Sequence, residues 1–186
     1  VGVIVSSIIG ITVGTICAQN NSTSKFILAV CDIFQTFPSF VYLIPVMMLF
    51  GVTDTAVLIA VIVYATIPAT RYTVEGLRSI PPALHDAGAM SGVNNIQRLA
   101  KIDFPLAFPH IMLGINQTVV FALFMVIIGA FIGTEDLGQY ILKALSDKQG
   151  GGKGLVLGIC VAFIGLIVDH LIRTYADKRK KALGID

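Results

Sequence analysis

The chain has 186 residues, of which 55% are hydrophobic and only 13% charged, with a mean hydropathy of +0.86 and a formal net charge of +2. Soluble domains carry about 25% charged residues, and here no Asp, Glu, Lys or Arg occurs in residues 1–24, 33–53 or 104–134. This excludes a soluble enzyme, a nucleic-acid binder and a disordered tail, and leaves a polytopic membrane protein.

Lipid offers the backbone no hydrogen-bond partners, so the apolar segments are predicted as helices, and crossing about 30 Å of hydrocarbon takes roughly 20 residues. Five segments are expected to span: residues 1–18, 26–50, 56–69, 106–132 and 155–172. The first opens at Val1 in mid-hydrophobic sequence, without Met or a basic leader, which gives the expectation that upstream segments are missing. The second is interrupted by Pro38 and Pro45. Lys and Arg concentrate in cytoplasmic loops. Lys25, Arg71, Arg78, Arg98, Lys101, Arg173, Lys178, Arg179, Lys180 and Lys181 fall on one side, and Lys143, Lys148 and Lys153 on the other. Ten against three places the 71–105 loop and the C-terminus in the cytoplasm. The basic end at 178–181 reads as an anchor touching anionic headgroups. Cys17, Cys31 and Cys160 sit in apolar stretches without a CxxC pair and read as small core residues.

The segment between the third and fourth spans has its own punctuation. Pro81 and Pro82 suit a helix start, where a missing N–H costs nothing. Residues 83–90 continue that helix, Gly88 weakens it, and Gly92 fits a terminating position with positive φ. Asn94 and Gln97 have capping-box spacing for a second short helix, which Pro105 is expected to stop. The result is a helix-turn-helix with small residues at its bend.

The spacing Asp86-Ala87-Gly88, three residues, Gly92, nine residues, Ile102, one residue, Phe104-Pro105 resembles the EAA motif of membrane subunits of binding-protein-dependent ABC importers. Residues 35–45, 114–118 and 137–139 are similar to the glycine betaine/proline betaine/choline permeases in particular, so the resemblance covers nearly the whole chain. It implies an all-α type I ABC importer transmembrane domain over residues 1–186, with the motif loop at about 75–105 forming a coupling helix that seats on a cytoplasmic ATPase subunit. Asp86, Ala87, Gly88 and Gly92 would form the docking bend, braced by Ile102 and Pro105. The implied function is uptake of quaternary-amine osmolytes across a bacterial inner membrane. The implied partners are that ATPase, which would carry the ATP, a periplasmic or lipid-anchored binding protein, and a second permease copy. Asp86 for Glu, Gly88 for Ala and Phe104 for Leu are departures from the motif.

Phe37, Phe40 and Tyr42 beside Pro38 are candidates for the substrate pathway, since Pro38 is expected to bend the helix, as transporters do near midplane sites, and aromatic faces attract quaternary ammonium groups. Asn116, Gln117 and Thr118 either line that pathway or bond neighbouring helices. Their sequon, like that at 21–23, fails on topology. Asp32 and Asp169 would serve ion coupling in a secondary transporter, the alternative of a different class, or pair with a base such as Arg173. An amino acid is the alternative cargo for an importer. Residues 150–154 imitate a phosphate loop but lack its Gly and Ser/Thr, and are expected to form an external loop. His85, His110 and His170 lack ligand spacing, so neither a metal nor a cofactor is expected in this chain.

Overall fold

The computed structural model describes residues 1–130, 137–146 and 151–182, and every regular element among them is helical. The helices are α1 (Gly2–Ala18), α2 (Asn21–Thr36), α3 (Phe40–Phe50), α4 (Asp54–Arg78), α5 (Pro82–Met90), α6 (Asn95–Arg98), α7 (Phe104–Ala130), α8 (Leu137–Ser146) and α9 (Gly151–Ala182). A π-helical turn, Leu99–Asp103, joins α6 to α7.

α4 is the centre of the bundle, with α1 and α7 packed on it and against each other. Small residues allow this. Gly2, Ser6, Gly10 and Gly14 recur every four residues and form one buried stripe of α1. A Cβ on Gly10 would lie 2.5 Å from the Ala69 Cβ and 2.9 Å from the Thr66 carbonyl oxygen. On a neighbouring face of α4, a Cβ on Gly114 of α7 would lie 2.9 Å from the Tyr72 Cβ. In lipid, where apolar side chains gain little by leaving the solvent, such close backbone approach is what holds helices together. Ser6 adds a polar tie, its hydroxyl donating to the carbonyls of Gly2 (2.8 Å) and Ile62 (3.3 Å).

The expected spans are mostly present but differently bounded. Asp54–Arg78, Asn95–Ala130 and Gly152–Ala182 are each long and apolar enough to cross a membrane. The second expected span is broken instead of kinked: α2 and α3 meet at 87° and count as a fourth span only when taken together. Pro38 explains the break. It removes a backbone donor and drives the preceding residue out of the helical region, and Phe37 is indeed extended at φ −73°, ψ 135°. The first segment forms a shorter apolar helix of 17 residues. α4 runs nine residues beyond the expected end at 69, because Thr70 to Leu77 still bury one face against α1 and α7.

Two loop expectations are corrected. Pro105 does not stop the helix before the fourth span. The π-helical turn carries the chain on into α7, with the Phe104 N–H donating to the Leu99 carbonyl, and this widened turn accommodates the proline ring in the next one. Residues 151–154 are the first turn of α9 and not a loop. Glycine costs least there, where the amides have no intrahelical partner; Gly150 lies outside the described residues.

Candidate functional site

α5 and its neighbours form at the end of the bundle where Arg78, Arg98 and Lys101 gather. Pro81, at ψ 135°, delivers the chain to Pro82 in the first helical position. At the other end, Gly92 stands at φ 72° and its N–H donates to Ala89, while the Val93 N–H donates back to Gly88 at 3.2 Å. These two bonds close a Schellman motif, which needs a left-handed residue at this position. No atom lies within 4 Å of a Cβ built on Gly92, so the glycine serves conformation and not close packing. The expected capping box is present, with the Gln97 N–H donating to Asn94 Oδ1 (2.8 Å) and the Asn94 N–H to Gln97 Oε1 (3.2 Å).

Helical spacing divides α5 into two faces. Ala83, Ala87 and Met90 are exposed, Met90 at 91%, and Ile96 of α6 is exposed nearby in sequence. Asp86 is exposed as well. The inward face carries His85 and Gly88. Gly88 packs over Ile102, whose Cδ1 lies 3.0 Å from where a Cβ would stand. His85 Nε2 lies 3.2 Å from Oδ1 of Asp103, and Arg98 Nε lies 3.4 Å from its other oxygen. Asp103 is buried, and the sequence reading passed over it. Its position in the motif, between Ile102 and Phe104, was the signal that could have found it. Beneath α5 lies a cleft of about 390 Å³, lined by Thr15, Gln19, His85, Asn95, Arg98 and Asp103 among others.

The six pathway candidates divide. Around the α2–α3 break the aromatic rings form a row: Phe37 meets Phe34 edge-on at 5.8 Å, Phe34 meets Tyr42, Tyr42 meets Tyr64 at 5.0 Å, and Tyr64 stacks on Phe121 at 4.7 Å. The Tyr42 hydroxyl donates to the Phe34 carbonyl across the break. Phe37 and Phe40 are about half exposed, while Tyr42 is buried. Asn116 instead donates to Asp169 of α9. Thr118 donates to the Gly114 carbonyl of its own helix at 2.9 Å. Gln117 is half-buried, one helical turn before Phe121. Phe34, Tyr64 and Phe121 were missed because only folding brings α2, α4 and α7 together.

The two carboxylates considered for ion coupling, Asp32 and Asp169, have arginine partners. Arg71 reaches Asp32 at 2.7 Å, Glu75 at 2.9 Å and Gln35 at 2.7 Å. Arg173 holds Asp169 at 2.8 Å, one helical turn away. No group of three or more potential metal ligands occurs among the described residues.

Residues 10–181 match the family described as binding-protein-dependent transport system inner membrane component. The chain is 80% identical over 184 residues to the trimethylamine N-oxide transport system permease protein TmoV of Pelagibacter ubique, covering 99% of this chain and 26% of that protein. It is 43% identical to TmoV of Ruegeria pomeroyi, covering 98% of this chain and 28% of that protein. With the glycine betaine/proline betaine transport system permease protein ProW of Escherichia coli the identity is 35%, over 94% of this chain and 49% of that protein. The chain thus spans about a quarter of the length of the two TmoV relatives. In fold it is similar to a chain of the inward-facing MetNI methionine ABC transporter, with a TM-score of 0.75 at 21% identity, over 93% of this chain and 88% of that one. It is an integral membrane protein, and it belongs to the family of binding-protein-dependent transport system inner membrane components.

Proposed function

We propose that this chain is the membrane-spanning permease unit of an ATP-driven importer for small solutes with a fully substituted nitrogen. Trimethylamine N-oxide is the first candidate and glycine betaine the second. The observation that carries the reading is the 80% identity to TmoV across 99% of the chain. The shape of the motif loop supports it: α5 is held at both ends and turns Ala83, Asp86, Ala87 and Met90 outward, as a helix seated on another subunit requires. In this reading Asp86, Ala87, Gly88 and Gly92 form the docking bend for a cytoplasmic ABC ATPase, and Ile102 and Pro105 brace it. The ATP belongs to that partner. A substrate-binding protein delivers the solute, a second permease copy completes the pathway, and the basic end faces the cytoplasm of a bacterium whose inner membrane holds the complex.

The pathway passes the α2–α3 break, where Phe37, Phe40 and Tyr42 offer aromatic faces to a cationic nitrogen, with Gln117 further along α7. Asn116 contributes by tying α7 to α9, while the Thr118 hydroxyl is engaged within α7. The secondary-transporter alternative loses ground, because Asp169 is paired with Arg173 and Asp32 with Arg71, which it shares with Glu75. The test is uptake of labelled trimethylamine N-oxide and glycine betaine into vesicles carrying the full-length permease, its ATPase and its binding protein. Uptake that needs all three proteins and ATP is expected. Uptake driven by an ion gradient without the ATPase would overturn the proposal.

A further inference from the structure

A buried carboxylate is costly unless paired, and Asp103 is placed where its partners come from two other elements. His85 reaches it from α5 and Arg98 from α6, while Asp103 itself ends the π-helical turn that opens α7. π-helical turns concentrate at functional positions. α5 does not rest on the bundle beneath it. The cleft of about 390 Å³ lies there instead, between α5, α6 and the ends of α1 and α4. On its inward face α5 meets the π-helical turn that leads into α7 through two contacts, Gly88 over Ile102 and His85 on Asp103. The first is an apolar contact that tolerates sliding. The second places a polar imidazole nitrogen 3.2 Å from a buried carboxylate oxygen, and Arg98 Nε lies 3.4 Å from the other oxygen of that carboxylate.

The geometry points to Asp103 as a positioning residue that sets the angle of α5 against α7, so that displacement of α5 by a docked partner is transmitted to the span instead of being absorbed by the cleft. This rests on the importer reading. Asp103 acts through His85 and Arg98, and its role is separate from that of the outward residues Asp86, Ala87 and Met90.

The test uses the assembled complex of full-length permease, ATPase and binding protein, with Asp103→Asn and, as the milder variant, His85→Gln, whose side chain is one-third exposed. The two readouts are solute imported per ATP hydrolysed, and the distance distribution between spin labels at Met90 and Lys101. Both variants are expected to assemble and hydrolyse ATP. The solute-to-ATP ratio should fall roughly 2- to 30-fold, the range by which single residues between two sites modulate coupling, and the label distances should broaden. Asp103→Glu, which keeps the charge, should restore part of the ratio. An unchanged ratio and unchanged distances in both variants would overturn the proposal. So would a parallel loss of uptake and hydrolysis, which marks a merely structural residue. A wild-type complex that shows no ATP-dependent uptake would instead refute the importer reading itself.

Discussion

At the scale of single residues, the motif loop separates two uses of glycine. Gly92 stands in open space at φ 72°, so its requirement is conformational. A side chain in the left-handed region costs about 1–2 kcal/mol, with Asn tolerated best. Gly92→Val should therefore abolish most ATP-coupled uptake while leaving membrane levels unchanged, and Gly92→Asn should retain a large part of it. Equal losses in vesicle uptake for Val and Asn would mean that size at 92 matters, through a partner surface and not through φ. Gly88 is the opposite case. A Cβ there would press on the Ile102 Cδ1 at 3.0 Å, the flexible end of a side chain that can yield, so the Ala of the EAA motif could also be housed and nothing in the structure explains the departure.

At the scale of elements, α4 is gripped by α1 and α7 through close backbone approach, and each grip is testable. Gly10→Ile would place its Cβ against the backbone of Thr66 as well as the Ala69 side chain. Overpacking of this kind costs about 1–3 kcal/mol. The purified protein should melt at a clearly lower temperature in detergent, whereas Gly158→Ile on α9, with nothing within 4 Å, should leave the melting temperature unchanged or raise it. The broken α2–α3 pair depends on polar ties. Arg71 binds Asp32 and Gln35 of α2, just before the extended Phe37, and the Cys31 thiol lies 3.9 Å from the Ile67 carbonyl oxygen on the same helix pair. Arg71→Gln should loosen α2 from α4, so that Cys31, now 4% exposed, reacts severalfold faster with a membrane-permeant maleimide. An unchanged rate would show that α2 is held by packing alone.

At the scale of the whole molecule, the polar ties gather the basic residues at one end. Arg78 of α4 donates to Ser24 and Asn21 of α2, and α5 follows directly from α4, so Lys25, Arg78, Arg98 and Lys101 share an end of the bundle. The positive-inside bias assigns that end to the cytoplasm. With Cys17, Cys31 and Cys160 replaced and the permease inserted without its ATPase, Met90→Cys should react with an impermeant maleimide in inside-out vesicles and resist it in right-side-out ones. The reverse pattern would invert the topology. Large apolar side chains such as Phe163, Leu166 and Leu171 of α9 are more than half exposed, as a lipid-facing helix requires.

The sequence by itself determined the class of molecule, the apolar segments and the local grammar of the motif loop. Charge-free length, helix-starting prolines, the Asn94–Gln97 box and the positive-φ glycine all act between residues close in the chain, so their consequences can be read from spacing. Even the break at Pro38 was visible, though not its sharpness. Only the tertiary structure decided which polar groups meet. Asp103 with His85 and Arg98, Arg71 with Asp32, Asn116 with Asp169, and the aromatic row from Phe37 to Phe121 join residues on different helices. The four-residue recurrence of Gly2, Ser6, Gly10 and Gly14 was present in the sequence, yet its meaning depended on α4 lying against it. Local hydrogen bonding is written in neighbours, whereas a long-range contact exists only once helix packing has brought its two halves together.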